Sequence, residues 1–176
     1  MKKIILKYKI NNRDTFEDKL DDEGYDFGGI YWQHDRVYVP RNYKPSMNYP
    51  RLIMRTDLKA IDEPPEYYLI LRRHIEDSGV DIVEKTLVTD YATTVNIILQ
   101  LGFRQAGEVS RRRQELEYGE GIMLYLDEID GRGDTYAKIE ANLDTSSVTE
   151  LRSRLEQVMT ALGEHDLVSL PYVEIK

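Results

Sequence analysis

Apolar and charged residues alternate over the first ten positions, MKKIILKYKI, with the two-residue period of a β-strand. One face of this strand, which we predict to pack against a core, carries Ile4, Leu6, Tyr8 and Ile10. The opposite face carries Lys3, Ile5, Lys7 and Lys9. A face with three lysines is typical either of a solvated strand surface or of a basic channel, and this stretch alone leaves both interpretations open.

Two further stretches have the period of a helix. In RDTFEDKLDDEG, Phe16 and Leu20 lie one turn apart among acidic residues, and Gly24 follows where a helix would end. In DYATTVNIILQLG, Asp90 is a suitable N-cap and Gly102 a suitable C-terminal stop. We expect the buried stripe of this second helix to consist of Ala92, Val95 and Leu99.

The segment SSVTELRSRLEQVMTALG predicts a third helix. Ser147 and Glu150 have the spacing of a capping box, in which each side chain accepts a hydrogen bond from the backbone N–H of the other residue. Gly163 marks the expected end of the helix. Between these signals, apolar residues recur at helical intervals, at Val148, Leu151, Leu155, Val158 and Leu162.

Strand-like segments fill most of the chain between the predicted helices. Besides the opening strand, they are residues 29–39, 51–58, 66–75, 80–88, 104–118, 121–130 and 135–143. Glycine-containing turns at 119–121 and 131–133 predict hairpins, and strands joined by short links must pair antiparallel. Eight strands are enough for a sheet to curl on itself. We therefore predict one α+β domain over 1–176: an antiparallel eight-stranded, closed or strongly curved β-barrel with about three flanking helices.

The amino-acid composition limits the kinds of molecule that we expect the protein to bind. The formal net charge of -8 argues against binding to duplex DNA or RNA and against a polybasic membrane anchor. The absence of cysteine excludes disulfides, thiolate nucleophiles and zinc–thiolate sites. The opening apolar run is too short for a signal peptide, and no other stretch approaches the length of a membrane span. We expect a soluble, cytoplasmic protein.

Several predicted strands carry basic residues on one face. Arg51 and Arg55 share a face of one strand, Arg111 and Arg113 share a face of another, and Arg72 lies on a third. If the sheet closes, these faces line its interior. Such an interior requires carboxylates, water or a bound polyanion, because unpaired buried charge is strongly unfavourable.

The same arginines also have simpler explanations. Arg111 and Arg113 are equally typical of a solvated strand edge, since basic residues often protect such edges from pairing. Arg55 has Asp57 and Glu66 nearby in sequence, and either would allow an ion pair at the surface.

The order of the predicted elements and a set of partial motifs resemble the CYTH domains, whose archetypes are the class IV adenylate cyclases and the thiamine triphosphatases. The motifs stand here as KIILK at 3–7, RLIMR at 51–55, LGF at 101–103, VSRRR at 109–113, YLDEI at 125–129 and KIE at 138–140. The resemblance implies a triphosphate tunnel, a barrel in which basic side chains hold a triphosphate and carboxylates hold a divalent metal ion.

The resemblance also implies roles for individual residues. The phosphate-binding set is Lys7, Arg55, Arg72, Arg111 and Arg113, with Lys3 and Lys138 as additional members. The candidate ligands for Mg²⁺ or Mn²⁺ are Asp127 and Glu140. Lys3, Ile5 and Lys138 stand where the family pattern has metal-binding carboxylates. A lysine at position 3 either supplies positive charge in place of the metal or points to solvent.

Asp127 and Glu140 have structural explanations as well. Asp127 is close enough to the turn at 131–133 to cap it, and Glu140 is placed to form an ion pair with Lys7 or with a neighbour of Lys138. Strand register decides between these interpretations, because a shift of one residue turns every inward side chain outward.

Two kinds of function follow from the resemblance. The first is binding of an organic triphosphate or inorganic polyphosphate, with metal-dependent triphosphate hydrolysis or nucleotide cyclisation as the implied reaction. The alternative is a non-catalytic domain that binds a polyanion without metal, or a protein partner, with a degenerate catalytic site. Because phosphoryl transfer depends on metal-assisted stabilisation of charge, the missing carboxylates favour the alternative. The retained basic residues favour a phosphate ligand over a pure scaffold.

Overall fold

The computed structural model describes residues 1–44, 49–75, 78–119, 121–144 and 147–169. The strands are β1 (Lys2–Ile10), β2 (Tyr31–Pro40), β3 (Arg51–Leu58), β4 (Glu66–Ile75), β5 (Val80–Val88), β6 (Phe103–Glu117), β7 (Ile122–Ile129) and β8 (Thr135–Asn142). The helices are α1 (Arg13–Asp22), α2 (Tyr91–Gln100) and α3 (Val148–Ala161).

The eight strands form a closed antiparallel barrel in the order β1-β5-β4-β3-β2-β6-β7-β8, and β8 pairs back with β1. The predicted α+β barrel is therefore confirmed, and its sheet is closed rather than only curved. The bounds of β3, β4 and β5 agree with the predicted ranges, and those of the other strands differ by one or two residues at one or both ends.

Glycines in the left-handed region end the elements where the sequence predicted. Gly24 and Gly102 follow α1 and α2 with φ of +82° and +87°, values that favour a residue without a Cβ atom. Gly131, with φ of +74°, forms the turn between β7 and β8. The predicted turn at 119–121 includes residue 120, which lies outside the described residues.

The main hydrophobic core lies outside the barrel, between one sector of its wall and helices α1 and α3. The face of β1 that was predicted to pack against a core is buried there, at Ile4, Leu6, Tyr8 and Ile10. Phe16 and Leu20 of α1, together with Leu155 of α3, cover it and are almost fully buried. Apolar side chains of this sector therefore point away from the barrel axis.

Helix α3 begins with the predicted capping box. The Ser147 hydroxyl accepts a hydrogen bond from the backbone N–H of Glu150, and the Glu150 carboxylate accepts one from the backbone N–H of Ser147. Three apolar residues of the helix, Leu151, Leu155 and Met159, are buried against the barrel, and so is the C-cap residue Leu162. The predicted stripe omits Met159, which is fully buried, and includes Val158, which is only partly buried.

The predicted stripe of α2 is wrong at two of its three positions. Ile98 is the buried residue, with Tyr91 and Val95 packed beside it, whereas Ala92 and Leu99 are exposed. This helix has apolar residues on several faces, so its sequence does not define one stripe. Its rotation is set by the outer apolar patch on which it docks, which includes Tyr38 of β2, Met54 of β3 and Phe103 of β6.

Every helix among the described residues is too short or too polar to span a lipid bilayer.

We expect Leu155→Ala to lower the free energy of unfolding by about 2–5 kcal/mol, because truncation of a fully buried leucine leaves a cavity between α3 and the barrel. Leu101→Ala is the matched control, since Leu101 is 69% exposed. The measurement is denaturant-induced unfolding of both variants. Equal losses for the two variants would contradict the placement of the core under α3.

Candidate functional site

The charged faces of the strands point into the barrel. Residues directly opposite one another on neighbouring strands point to the same side of a sheet, and the register pairs Lys7 with Lys138 and Arg113 with Asp127. Arg112, between two inward residues, points outward and forms an ion pair with Glu128 on the surface. The interpretation of Arg111 and Arg113 as a solvated edge is therefore wrong, because both are almost fully buried.

Two adjoining cavities occupy the interior. The narrower one, of about 90 Å³, is lined by Lys7, Arg51 and Arg111, among others. The wider one, of about 370 Å³, includes Lys3 and Lys85 in its wall. The cavities adjoin, because five side chains line both of them, namely Ile53, Arg55, Arg72, Arg113 and Lys138. We call the barrel interior that contains the two cavities the tunnel.

Basic side chains outnumber acidic ones on the tunnel wall. Among the described residues, nine basic side chains line the two cavities, namely Lys3, Lys7, Lys85, Lys138, Arg51, Arg55, Arg72, Arg111 and Arg113. Five acidic side chains do so, namely Asp35, Asp57, Glu84, Glu115 and Glu140. Asp81 and Asp127, which are buried beside Arg72 and Arg113, bring the number of acidic side chains among the described tunnel residues to seven. The whole chain carries a net charge of -8. The tunnel is therefore still an electropositive region inside an acidic protein, and such a region attracts anions.

Asp35 joins two arginines in an ion-pair network of the tunnel. Arg55 binds it through two hydrogen bonds, Nε to Oδ1 at 2.7 Å and Nη2 to Oδ2 at 2.9 Å, and Arg111 Nη2 donates to Oδ2 at 2.6 Å. Gln33 extends the network, because its Oε1 accepts from Arg111 Nε at 2.9 Å and its Nε2 donates to Asp57 Oδ1 at 2.8 Å. Burial alone would raise the pKa of Asp35, but the two guanidinium groups hold it well below its usual range.

Asp127 is fully buried behind the tunnel wall and is held by one arginine. Arg113 Nε donates to Oδ1 and Nη2 to Oδ2, both at 2.6 Å, and Arg111 Nε lies 3.7 Å from Oδ1. Burial would raise the pKa of Asp127, but Arg113 lowers it to about 2. Both carboxylate oxygens of Asp127 therefore accept hydrogen bonds from the Arg113 guanidinium group. The interpretation of Asp127 as a cap for the turn at 131–133 is wrong.

Glu140 binds two lysines on the wall of the wider cavity. Lys3 Nζ lies 2.7 Å from Oε1 and Lys138 Nζ lies 2.8 Å from Oε2, and the Tyr125 hydroxyl donates to Oε1 at 3.3 Å. Burial would raise the pKa of Glu140, but Lys138 and Lys3 hold it well below its usual range. The ion pair of Glu140 is thus with these two lysines and not with Lys7.

Arg72 and Arg55, the other two arginines of the predicted phosphate-binding set, are also paired with carboxylates inside the barrel. Arg72 donates from Nε to Asp81 Oδ1 at 3.0 Å and from Nη2 to Oδ2 at 3.2 Å. Arg55 pairs with Asp35, as described above, so the interpretation of a surface pair with Asp57 or Glu66 is wrong. The guanidinium groups of this set are therefore fixed in orientation by carboxylates.

Lys7 lies among cationic side chains in the narrower cavity, which Arg51 and Arg72 also line. Burial lowers its pKa to about 7, and the like charges of Arg72 and Arg51 add to this effect. Burial lowers the pKa of Lys138 to about 7 as well, in spite of its carboxylate partner. The ammonium groups of these two lysines therefore lose a proton more readily than that of an exposed lysine.

Sequence reasoning assigned no role to three tunnel residues. Asp35 and Asp81 are the carboxylate partners of the arginines, and Lys85 lines the wider cavity. Arg51, which was expected on an inward basic face but was left out of the phosphate-binding set, lines the narrower cavity. Lys85 Nζ lies 3.6 Å from the centre of the Tyr68 ring. The two-residue period of the strands could have identified these residues. Asp35 lies on the inward face of β2, and Asp81 lies on the face of β5 that carries Lys85.

The structure places all nine predicted site residues together. The seven predicted phosphate-binding residues line the tunnel, Glu140 lines its wider cavity, and Asp127 is buried behind Arg113. Their roles in binding stay predictions.

The described residues do not fit a divalent metal ion. Mg²⁺ and Mn²⁺ bind best to several carboxylate or carbonyl oxygens. Within the described ranges, no group of three or more histidine, aspartate or glutamate side chains is placed to hold a metal. The oxygens of Asp127 and Glu140 are already engaged by cationic side chains.

No protein-family model and no curated protein sequence matches the chain. Solved structures match it over nearly its whole length. The PH1819 protein of Pyrococcus horikoshii OT3 is similar with a TM-score of 0.82 at 20% identity, over 98% of this chain and 96% of that chain. A candidate adenylate cyclase of Vibrio parahaemolyticus is similar with a TM-score of 0.77 at 18% identity, over 97% of this chain and 94% of that chain.

HpAC1 from Hippeastrum, a candidate adenylyl cyclase with a dominant triphosphatase activity, is similar with a TM-score of 0.62 at 16% identity, over 98% of this chain and 93% of that chain. At such identities the likeness establishes the fold alone. The chain has the fold of the class IV adenylate cyclase-like and triphosphatase structures, the CYTH fold, as its motifs predicted.

We expect Asp127→Asn to lower the free energy of unfolding by about 3–5 kcal/mol at neutral pH, because it leaves the Arg113 guanidinium buried beside a neutral group. The folded-state pKa of Asp127, about 2, lies below the ordinary value of 3.8. The stabilisation is therefore present above pH 4 and is lost as the pH falls towards 2.

The measurement is urea unfolding of wild type and variant between pH 7 and pH 2. The difference between the two proteins should narrow as the pH falls. Asp130→Asn, at an exposed aspartate just after β7, is the control and should change little. A difference that stays constant with pH would contradict the importance of the Asp127 charge.

Proposed function

We propose that the protein binds a triphosphate-containing small molecule or an inorganic polyphosphate in the barrel tunnel. The observation that supports this best is the excess of basic side chains, nine against five, on a wall enclosed by a protein of net charge -8. A polyanion with charges spread along its length matches basic groups distributed through two adjoining cavities. The volume of the wider cavity suits a small molecule, and an enclosed barrel does not admit a nucleic-acid duplex.

The arginines are pre-organised for such a ligand. Arg55 and Arg72 each use Nε and Nη2 in their pair with a carboxylate, whereas a guanidinium group carries five N–H donors in a fixed plane. Because the pair already fixes the rotamer, binding of a phosphate orders little additional side chain. This arrangement favours charge-assisted hydrogen bonds to phosphate oxygens.

The lysines supply the excess charge that a phosphate would stabilise. Burial and neighbouring cations lower the pKa of Lys7 to about 7, so its charged form is unfavourable in the tunnel without ligand. A polyphosphate beside Lys7 would favour the charged form and raise this pKa again. Binding energy therefore comes partly from relief of repulsion among the tunnel cations.

We expect Lys7→Met to change stability and binding in opposite directions. Without ligand, the free energy of unfolding should rise, because a repelled and buried ammonium group is replaced by an apolar chain of similar length. The affinity for tripolyphosphate should fall by roughly tenfold or more, since a charge-assisted contact is lost. Thermal unfolding with and without tripolyphosphate measures both effects, because a ligand of the folded state raises the midpoint.

Lys9→Met is the matched control. Lys9 is on the same strand but lies outside the tunnel, in an exposed ion pair with Asp134. This variant should respond to tripolyphosphate and to ATP as the wild type does. The absence of any midpoint shift in the wild type with either ligand would contradict the proposed function and favour a protein-interaction domain.

Metal-dependent triphosphate hydrolysis is the second candidate. It is favoured by the fold shared with HpAC1, which has a dominant triphosphatase activity. In this case Asp127 and Glu140 would be the metal ligands and would have to exchange their cationic partners for the ion. Phosphate release from tripolyphosphate in the presence of Mg²⁺ or Mn²⁺, absent in Asp127→Asn and retained in Asp130→Asn, would establish this activity.

A further inference from the structure

Two ammonium groups share one carboxylate in the wall of the wider cavity. Lys3 and Lys138 each lie within hydrogen-bond distance of a different oxygen of Glu140, at 2.7 and 2.8 Å. The three side chains are shielded from solvent, with exposed fractions of 21%, 14% and 8% for Lys3, Lys138 and Glu140. When all three are ionised, this lysine–glutamate cluster carries one net positive charge.

The cavity around the cluster is lined by further cations and by the carboxylates of Asp57, Glu84 and Glu115, but the strand opposite Glu140 supplies no second carboxylate at the paired position. Ile5 lies directly opposite Glu140 in the pairing of β1 with β8, so an apolar side chain fills this position. Arg55, Arg72 and Arg113 line the same cavity. A divalent ion at Glu140 would have to displace both ammonium groups and remain close to these guanidinium groups, which like-charge repulsion opposes.

We propose that Lys3 and Lys138 supply the positive charge that a divalent cation provides when it neutralises a polyphosphate, so that the tunnel binds the polyanion free of metal. This proposal rests on the proposed function and adds to it that the polyphosphate is bound without a metal ion. Glu140 is then a positioning residue, because its two oxygens hold the ammonium groups apart and fix them on the tunnel wall.

A second consequence concerns Mg²⁺ in solution. Mg²⁺ chelated by a polyphosphate lowers the negative charge of the ligand and adds a cation to a wall that is already basic. The metal should therefore act as a competitor for the ligand and not as a cofactor. A metal ion should therefore weaken binding under this proposal, whereas it would strengthen binding if binding were metal-assisted.

The first test is titration calorimetry of the wild type with tripolyphosphate and, separately, with ATP, each in EDTA and in excess Mg²⁺ or Mn²⁺. We expect binding in EDTA and an apparent affinity that is roughly tenfold or more weaker in excess metal, as for the loss of a charge-assisted contact. Comparison of the affinities for tripolyphosphate and ATP shows whether the nucleoside of ATP contributes to binding.

The second test reverses the charges of the cluster. The double variant Lys3→Glu and Lys138→Glu brings three carboxylates together, and such a set suits Mn²⁺. We expect Mn²⁺ to raise the unfolding midpoint of this variant and not that of the wild type. The control is the double variant Lys2→Glu and Arg104→Glu, which makes the same change in net charge at exposed positions.

A single variant, Lys138→Gln, keeps the test informative if the double variant does not fold. It retains a donor for Glu140 but removes one charge, and it should weaken the binding of tripolyphosphate in EDTA. Binding by the wild type that requires Mg²⁺ or Mn²⁺ would overturn this inference and leave the proposed function intact. No binding under any of these conditions would overturn both.

Discussion

Pairing of arginine with carboxylate inside the barrel is the interaction on which the rest of the structure depends. Asp35 holds two arginines, Asp127 holds Arg113 and Asp81 holds Arg72, all with little exposure to solvent. A charge buried without such a partner would be strongly destabilising. Buried ion pairs, however, are seldom more stable than well-packed apolar residues of the same volume. Stability alone therefore does not explain a charged interior, whereas the proposed binding of a polyanion would.

The charged interior also explains why the hydrophobic core lies on the outside of the barrel. Since many inward positions hold charged side chains, most apolar residues of β1, β7 and β8 face outward, where α1 and α3 cover them. A smaller apolar cluster lies between α2 and the outer face of β2, β3 and their neighbouring strands. Stability thus comes mainly from the helix–barrel interfaces, and the tunnel wall can hold the repulsive cations that a phosphate ligand would compensate.

Much of the fold and part of the site could be predicted from local pattern. The two-residue period identified the strands and separated the inward lysines of β1 from its core face, and glycine and capping signals marked the helix ends. The rotation of α2 could not be predicted, because Ala92 and Leu99 are as apolar as residues that pack beside Ile98. The partner of Arg55 could not be predicted either, because Asp35 is 20 residues away in the chain.

The sequence by itself determined which residue types alternate on each strand, where most elements begin and end, and that basic residues exceed carboxylates at the motif positions. Only the tertiary structure decided which cation meets which carboxylate. Glu140 lies 137 residues from Lys3, and closure of the barrel between β1 and β8 brings them to 2.7 Å. The physical reason is that strand order and register, which fix such pairs, depend on packing of the whole sheet rather than on any local stretch.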